Sequence, residues 1–148
     1  MRKVPTAFRT ILDALDHHVM TSGEKVALRR LGFRGKSNDE ITLAQLREDA
    51  LQFAQNLSAI SSRHDRILLA YPSCNAFVVA FLGCLYAGRI AVPVSLGTNA
   101  RSGERIDVIA RDCEAATLIS TDLDVAGLAG AAESGCLMVA HETLTERR

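Results

Sequence analysis

Between Arg66 and Arg89 the chain carries no charged residue, and this gap constrains its fold more than any other feature. A run this long raises the question of a membrane-spanning helix. Pro72, Ser73 and Asn75 interrupt it, so it divides into a strand at Arg66–Tyr71, a turn, and a helix with Ser73 as N-cap. Neither piece alone would span a bilayer. Gly88 falls where a helix needs a residue in the left-handed conformation just past its end, because glycine has no Cβ to clash there. The helix is therefore predicted to stop at Ala87. Ile90, Ala91 and Val92 read as a short strand buried on both faces, and Pro93 is expected to end its hydrogen-bonding ladder.

The rest of the chain is read outward from this spine. Phe8, Ile11, Leu12, Leu15 and Val19 recur at threes and fours, which predicts a helix over residues 6–19 with Thr6 as N-cap. Residues 25–33 read as an amphipathic strand, residues 34–40 as a polar hairpin loop, and Ile41 as a short return strand. Thr42 followed by Gln45 has capping-box spacing, and a wide apolar face from Leu43 to Ile60 predicts a second long helix packed on a sheet. After Val94 the composition turns polar over residues 95–103. A loop there follows the carboxyl end of a strand, where open α/β sheets bind ligands. A third helix is predicted with Ser102 as N-cap, Glu104 in its first turn, and Ile106, Ile109 and Ala110 buried. Next come a strand at residues 117–120, a weaker helix over 122–132, a last strand at 136–140, and a polar tail at 141–148 expected to fray.

Strand and helix alternate from Arg66 onward, which predicts a parallel sheet with flanking helices and right-handed crossovers. With the N-terminal helix and hairpin, this makes one α/β domain over residues 1–148. A chain of 148 residues buries roughly 70% of its unfolded surface and needs no disulfides. Seventeen Lys and Arg balance seventeen Asp and Glu, so no global field gathers nucleic acid or anionic lipid. The basic start at Met1 runs into Arg9 and Asp13 rather than an apolar core, so no secretory signal is read and the expected location is cytoplasmic.

Catalytic patterns are scarce. Cys74, Cys84, Cys113 and Cys136 lack zinc-knuckle or redox-pair spacing and read as small buried hydrophobes. His17, His18, His64 and His141 are dispersed, and adjacent His17 and His18 point in different directions on a helix, poor geometry for a shared metal. No P-loop, no G-x-G-x-x-G and no G-x-S-x-G is present. Asp107, Asp112 and Glu114 read as a solvated helix face. Tyr86 reads as a core tyrosine whose hydroxyl needs a partner if buried. Arg89 and Arg101 flank a strand end where an anionic ligand would bind, although single loop arginines are usually only solvated.

Leu68-Leu69-Ala70-Tyr71-Pro72, Ala80-Phe81-Leu82-Gly83-Cys84-Leu85-Tyr86-Ala87-Gly88 and Ala91-Val92-Pro93-Val94 closely resemble the N-terminal part of fatty acyl-AMP ligases. These belong to the adenylate-forming superfamily of acyl-CoA synthetases, luciferase and peptide-synthetase adenylation domains. The hexad 83–88 is typical of the fatty acyl-AMP branch. Residues 41–46 resemble the first core motif of the superfamily, with Leu43 in place of an aromatic residue and Gln45 in place of an acid. Residues 101–112 and 115–121 resemble the helix and strand that follow. Pro72-Ser73-Cys74 departs from the pattern, which carries a glycine after one or two prolines.

The resemblance implies the α/β fold of an N-terminal subdomain of adenylate-forming enzymes. It implies a complete enzyme that uses ATP and magnesium to activate a fatty acid as acyl-adenylate for an acyl carrier protein. The Ser/Thr/Gly-rich loop, the aromatic-Thr-Glu motif, the ribose-binding aspartate and the catalytic lysine of the family are absent from this sequence. No catalytic, cofactor-binding or metal residue can therefore be carried over, and no substrate-binding residue is assigned. The segment is expected to be truncated, to bind no cofactor and to be non-catalytic alone. Its expected partners are the remainder of the ligase or a second polypeptide, with self-association through the face left uncovered. The alternative is a stand-alone protein-interaction or acyl-binding module derived from such a ligase. An unrelated α/β nucleotide binder is a third option.

Overall fold

The computed structural model describes residues 8–31, 37–72, 74–96, 101–121, 128 and 134–146. Met1–Glu48 and Asp49–Arg148 form two compact units.

In the first unit, α1 (Ile11–Ser22) begins later than its apolar spacing predicts. Thr10 is the N-cap. Its hydroxyl accepts from the Asp13 amide at 3.1 Å, and the Asp13 carboxylate accepts from the Thr10 amide at 3.0 Å. This reciprocal box fixes the helix start, and Thr6 lies outside the described residues. β1 (Val26–Leu31) pairs antiparallel with β2 (Ser37–Thr42). The return strand is longer than expected. Asp39 and Glu40 belong to it rather than to the loop, because backbone pairing to β1 satisfies them whatever their side chains, and Glu40 meets Arg29 across the strands at 2.6 Å. Thr42 then caps α2 (Leu43–Ile60): its hydroxyl accepts from the Gln45 amide at 3.2 Å, and Gln45 Oε1 accepts from the Thr42 amide at 3.1 Å.

The second unit is built on a four-stranded parallel sheet in the order β4-β3-β5-β6. β3 (Arg66–Tyr71) and β5 (Thr117–Ser120) occupy its middle and are almost wholly buried, as unbroken apolar runs require. β4 (Ile90–Ser95) and β6 (Leu137–Ala140) flank them. β4 differs from expectation. Among the described residues it pairs only with β3, half its residues are exposed, and it continues through Pro93, in register with Leu69, to Ser95. An edge strand tolerates proline because the missing donor can face outward, so Pro93 does not end the strand.

α3 (Asn75–Tyr86) connects β3 to β4, and α4 (Arg101–Asp112) connects β4 to β5. Right-handed crossovers running in opposite directions along a sheet put these helices on opposite faces. Leu68, Ala70, Val94, Leu118, Ile106 and Ala110 form the core on the α4 side. Strand alternation turns Ile67, Leu69 and Tyr71 to the other face. There Gly83 of α3 lies against α2 so closely that a Cβ would sit 2.5 Å from Phe53 Cδ1 and 3.1 Å from the Ala50 carbonyl.

The end of α3 is as its sequence predicts. Gly88 takes φ +68°, the Arg89 amide donates to Cys84 O at 2.8 Å, and the Gly88 amide donates to Leu85 O at 3.0 Å. Its start differs: Cys74 is the N-cap and makes no side-chain capping bond, while Ser73 lies outside the described residues. Ser102 and Gly103 lie within α4, not before it, because the helix already starts at Arg101. The predicted helix at 122–132 falls outside the described residues except for Leu128, which is fully buried. The supposedly frayed tail forms a short helix, α5 (His141–Thr145), with His141 and Leu144 buried.

Candidate functional site

Connections leave β3 toward β4 on one side and return to β5 on the other, so the sheet reverses direction between β3 and β5. The carboxyl ends of the strands at such a reversal are where open α/β sheets receive ligands. Tyr71, Ser95, Ser120 and Ala140 end the four strands there. Residues 97–100 of the polar loop expected to line this end lie outside the described residues.

Two residues not singled out as partners in the sequence meet at this end. The Tyr71 hydroxyl lies 2.8 Å from His141 Nδ1, both residues are buried, and the rings stand edge to face at 5.5 Å. Ser120 pairs with Ala140 in the ladder, so β5 spaces β3 from β6 while His141 reaches back to β3. Phe53 lies 5.6 Å from the imidazole on one side, and Phe77 lies 6.1 Å from Tyr71 on the other. Burial, reinforced by the nearby thiols of Cys84 and Cys74, pushes the Tyr71 hydroxyl well above the ordinary phenol range. Burial likewise lowers the His141 pKa below its ordinary value. Both groups are therefore neutral near pH 7, a hydrogen-bonded pair and not an ion pair. Asn75 Nδ2, in the first turn of α3, is buried without a hydrogen-bond partner among the described residues.

Of the residues weighed from sequence, His141 and Cys74 come to this site, Arg101 begins α4 after the polar loop with its side chain outside the described ones, and others fall elsewhere. Arg89 precedes β4, at the opposite end of the sheet from the candidate site. It is buried; Nε donates to Ser61 Oγ at 3.0 Å, and its terminal nitrogens donate to the Ser61 and Ala87 carbonyls. It stitches the loop before β3 to the end of α3 and leaves no fork for an anion. Tyr86 is half-buried at the last position of α3. Of Asp107, Asp112 and Glu114, the last two are exposed, but Asp107 departs from the solvated reading. Its side chain is only 15% exposed, with Oδ2 on Arg111 at 2.9 Å and Oδ1 buried without a hydrogen-bond partner among the described residues. Burial pushes the Cys84 thiol up to about 12, so it stays protonated and inert. His17 and His18 converge more than their adjacency suggests: their rings lie 5.6 Å apart and both contact Phe8. Among the described residues, no group of three His, Cys, Asp or Glu is placed to hold a metal.

With this geometry established, comparison with known proteins gives a consistent picture. Residues 15–147 match the family described as AMP-binding enzyme. The long-chain-fatty-acid–AMP ligase FadD28 of Mycobacterium tuberculosis is 40% identical over 81 residues, 55% of this chain and 14% of that protein. The medium-chain-fatty-acid–[acyl-carrier-protein] ligase JamA of Moorena producens is 28% identical over 116 residues, 76% of this chain and 20% of that protein. A structure from work on the fatty acyl-adenylate ligases of E. coli and L. pneumophila superposes with a TM-score of 0.80 at 23% identity, over 93% of this chain and 26% of its own. The N-terminal subdomain of Klebsiella oxytoca NpsA, solved with 3-hydroxybenzoyl-AMSN, gives 0.70 at 19% identity over 95% of this chain and 33% of its own. The chain thus spans a seventh to a fifth of these two relatives.

Proposed function

The chain belongs to the AMP-binding enzyme family, and on that premise we propose that it acts as the N-terminal segment of a fatty acyl-AMP ligase. The observation that carries this reading is the 40% identity with FadD28 over 81 residues. In the complete enzyme, the fatty carboxylate would attack the α-phosphorus of ATP and displace pyrophosphate, whose charge magnesium would neutralise, and the thiol of an acyl carrier protein would then attack the acyl carbonyl and displace AMP. JamA, named as an acyl-carrier-protein ligase, supports the last step.

This segment supplies a scaffold and not the reacting groups. Its sequence holds none of the ATP-handling motifs, and Arg89 and Cys84 are occupied in packing. It is accordingly non-catalytic alone and works with the remainder of a ligase, on the same or a second polypeptide, in the cytoplasm. No described helix is long and apolar enough to cross a membrane. The companion reading is a stand-alone module in which a surface of the segment associates with itself or a protein partner.

ATP–pyrophosphate exchange with a panel of fatty acids tests the proposal. The purified chain is expected to be silent, and exchange above background on mixing with lysate of its source would establish completion in trans. Exchange by the pure chain would overturn the scaffold reading. Silence in both, with a discrete oligomer in light scattering, would favour the stand-alone module.

A further inference from the structure

α5 is five residues long, too short to keep its shape in water unaided, and three attachments hold it. Leu144 is buried. Asn56 Nδ2 donates to Leu144 O at 2.9 Å and Glu146 O at 3.2 Å, which fixes the far end. His141, the first residue, is held between the Phe53 and Tyr71 rings with the Tyr71 hydroxyl on Nδ1. Only this third attachment contains a group that titrates between about pH 5 and 8.

We propose that the Tyr71–His141 hydrogen bond is a proton-operated latch: protonation of His141 releases α5 from the carboxyl end of the sheet while the sheet stays folded. A Tyr71 hydroxyl that donates to Nδ1 leaves the neutral imidazole with its proton on Nε2. A second proton, arriving at Nδ1, takes the lone pair that the hydroxyl uses. The bond can then run only from Nδ1–H to the hydroxyl oxygen, which leaves the hydroxyl proton without its acceptor and a cation in a buried site.

The groups facing the imidazole do little to compensate. From β3 comes Tyr71, which stays neutral; α2 contributes Phe53 and Asn56, both uncharged. On the α3 side, Cys74 and Cys84 approach the Tyr71 hydroxyl, and the Cys84 thiol is protonated to about pH 12. On α5 itself, Glu142 is exposed and favours the cation, but burial outweighs it and the His141 pKa is lowered. The sign follows. Docking is at full strength above the ordinary imidazole pKa of about 6.5 and weakens as pH falls below it toward the docked value. If the docked ring stays neutral, opening of α5 rises up to about 30-fold at pH 5, the ceiling set by that ordinary pKa.

Amide hydrogen exchange of the whole 148-residue chain, read by NMR and corrected for intrinsic rates, tests the latch. Between about pH 7.5 and pH 5 the α5 amides are expected to lose several-fold to about 30-fold of their protection, with those of β3 and β5 unchanged. The ring resonances of docked His141 should titrate below the ordinary imidazole value of about 6.5, where the loss of α5 protection levels off. His141→Phe should abolish the pH dependence, and Tyr71→Phe should move the ring titration toward neutral. Protection of α5 that ignores pH, a pH dependence that survives His141→Phe, or equal loss in β3 and β5 would each overturn the proposal. Should the variants fail to fold, the wild-type ring titration decides: a docked ring that titrates at or above about 6.5 also overturns it.

Discussion

At Gly83 the absent side chain is the functional one. A Cβ there would meet Phe53 at 2.5 Å and the Ala50 carbonyl at 3.1 Å, and a carbonyl in mid-helix cannot step aside as a flexible side chain would. Gly83→Ala is therefore expected to destabilise the chain by about 1–3 kcal/mol, measured as a lower urea midpoint at unchanged m-value. Cys84, the next residue, should resist thiol reagents until the chain unfolds. Residue-scale features were legible where their partners are close in sequence: the Thr42–Gln45 box and the Gly88 turn are each set within a few residues. Partners far apart were not. Tyr71 and His141 are separated by 70 positions and meet only because the sheet order places β3 beside β5 and β5 beside β6. The role of Gly83 likewise depends on where α2 crosses α3, which no local pattern records.

At the scale of elements, α3 and α4 end in the same motif with different residues at its critical position. Past α4, Glu114 takes φ +50°, the Ala115 amide donates to Ala110 O at 2.9 Å, and the Glu114 amide donates to Arg111 O at 3.2 Å. These are the bonds that close α3 at Gly88, but here a residue with a Cβ occupies the left-handed position, at a cost of about 1–2 kcal/mol. The ion pair of Glu114 with Arg66 at 3.9 Å is exposed and compensates little. Glu114→Gly is expected to stabilise the chain by roughly 0.5–1 kcal/mol after the glycine entropy cost, read as a higher melting temperature, whereas Gly88→Ala should do the reverse. Strand existence was legible for β3 and β5, whose apolar runs announce burial on both faces. β4 was misjudged because the meaning of a proline depends on whether its strand lies at an edge or in the middle, which sheet order alone decides. α5 was missed because Glu142, Thr143 and Thr145 conceal two buried anchors among polar neighbours.

At the scale of the whole molecule, the parallel sheet with helices on both faces could be read from alternation alone, and the family from the residues around the spine. The carboxyl end of the sheet was legible as the place for a site from the polar loop after Val94, but the Tyr71–His141 pair there was not, since it joins residues 70 positions apart. The position of Pro93 carries a further consequence. The sheet offers an unpaired ladder along β4 among the described residues, and such an edge is a template for endless stacking of copies. A proline in the middle of that edge deprives an incoming strand of a donor. Backbone pairing of a second copy along this edge is thereby disfavoured. Pro93→Val, which restores the donor within an otherwise β-favouring run, is expected to leave the monomer folded yet to shorten the lag before thioflavin-positive fibrils form on gentle heating, making Pro93 a safeguard against amyloid as well as a member of the sheet.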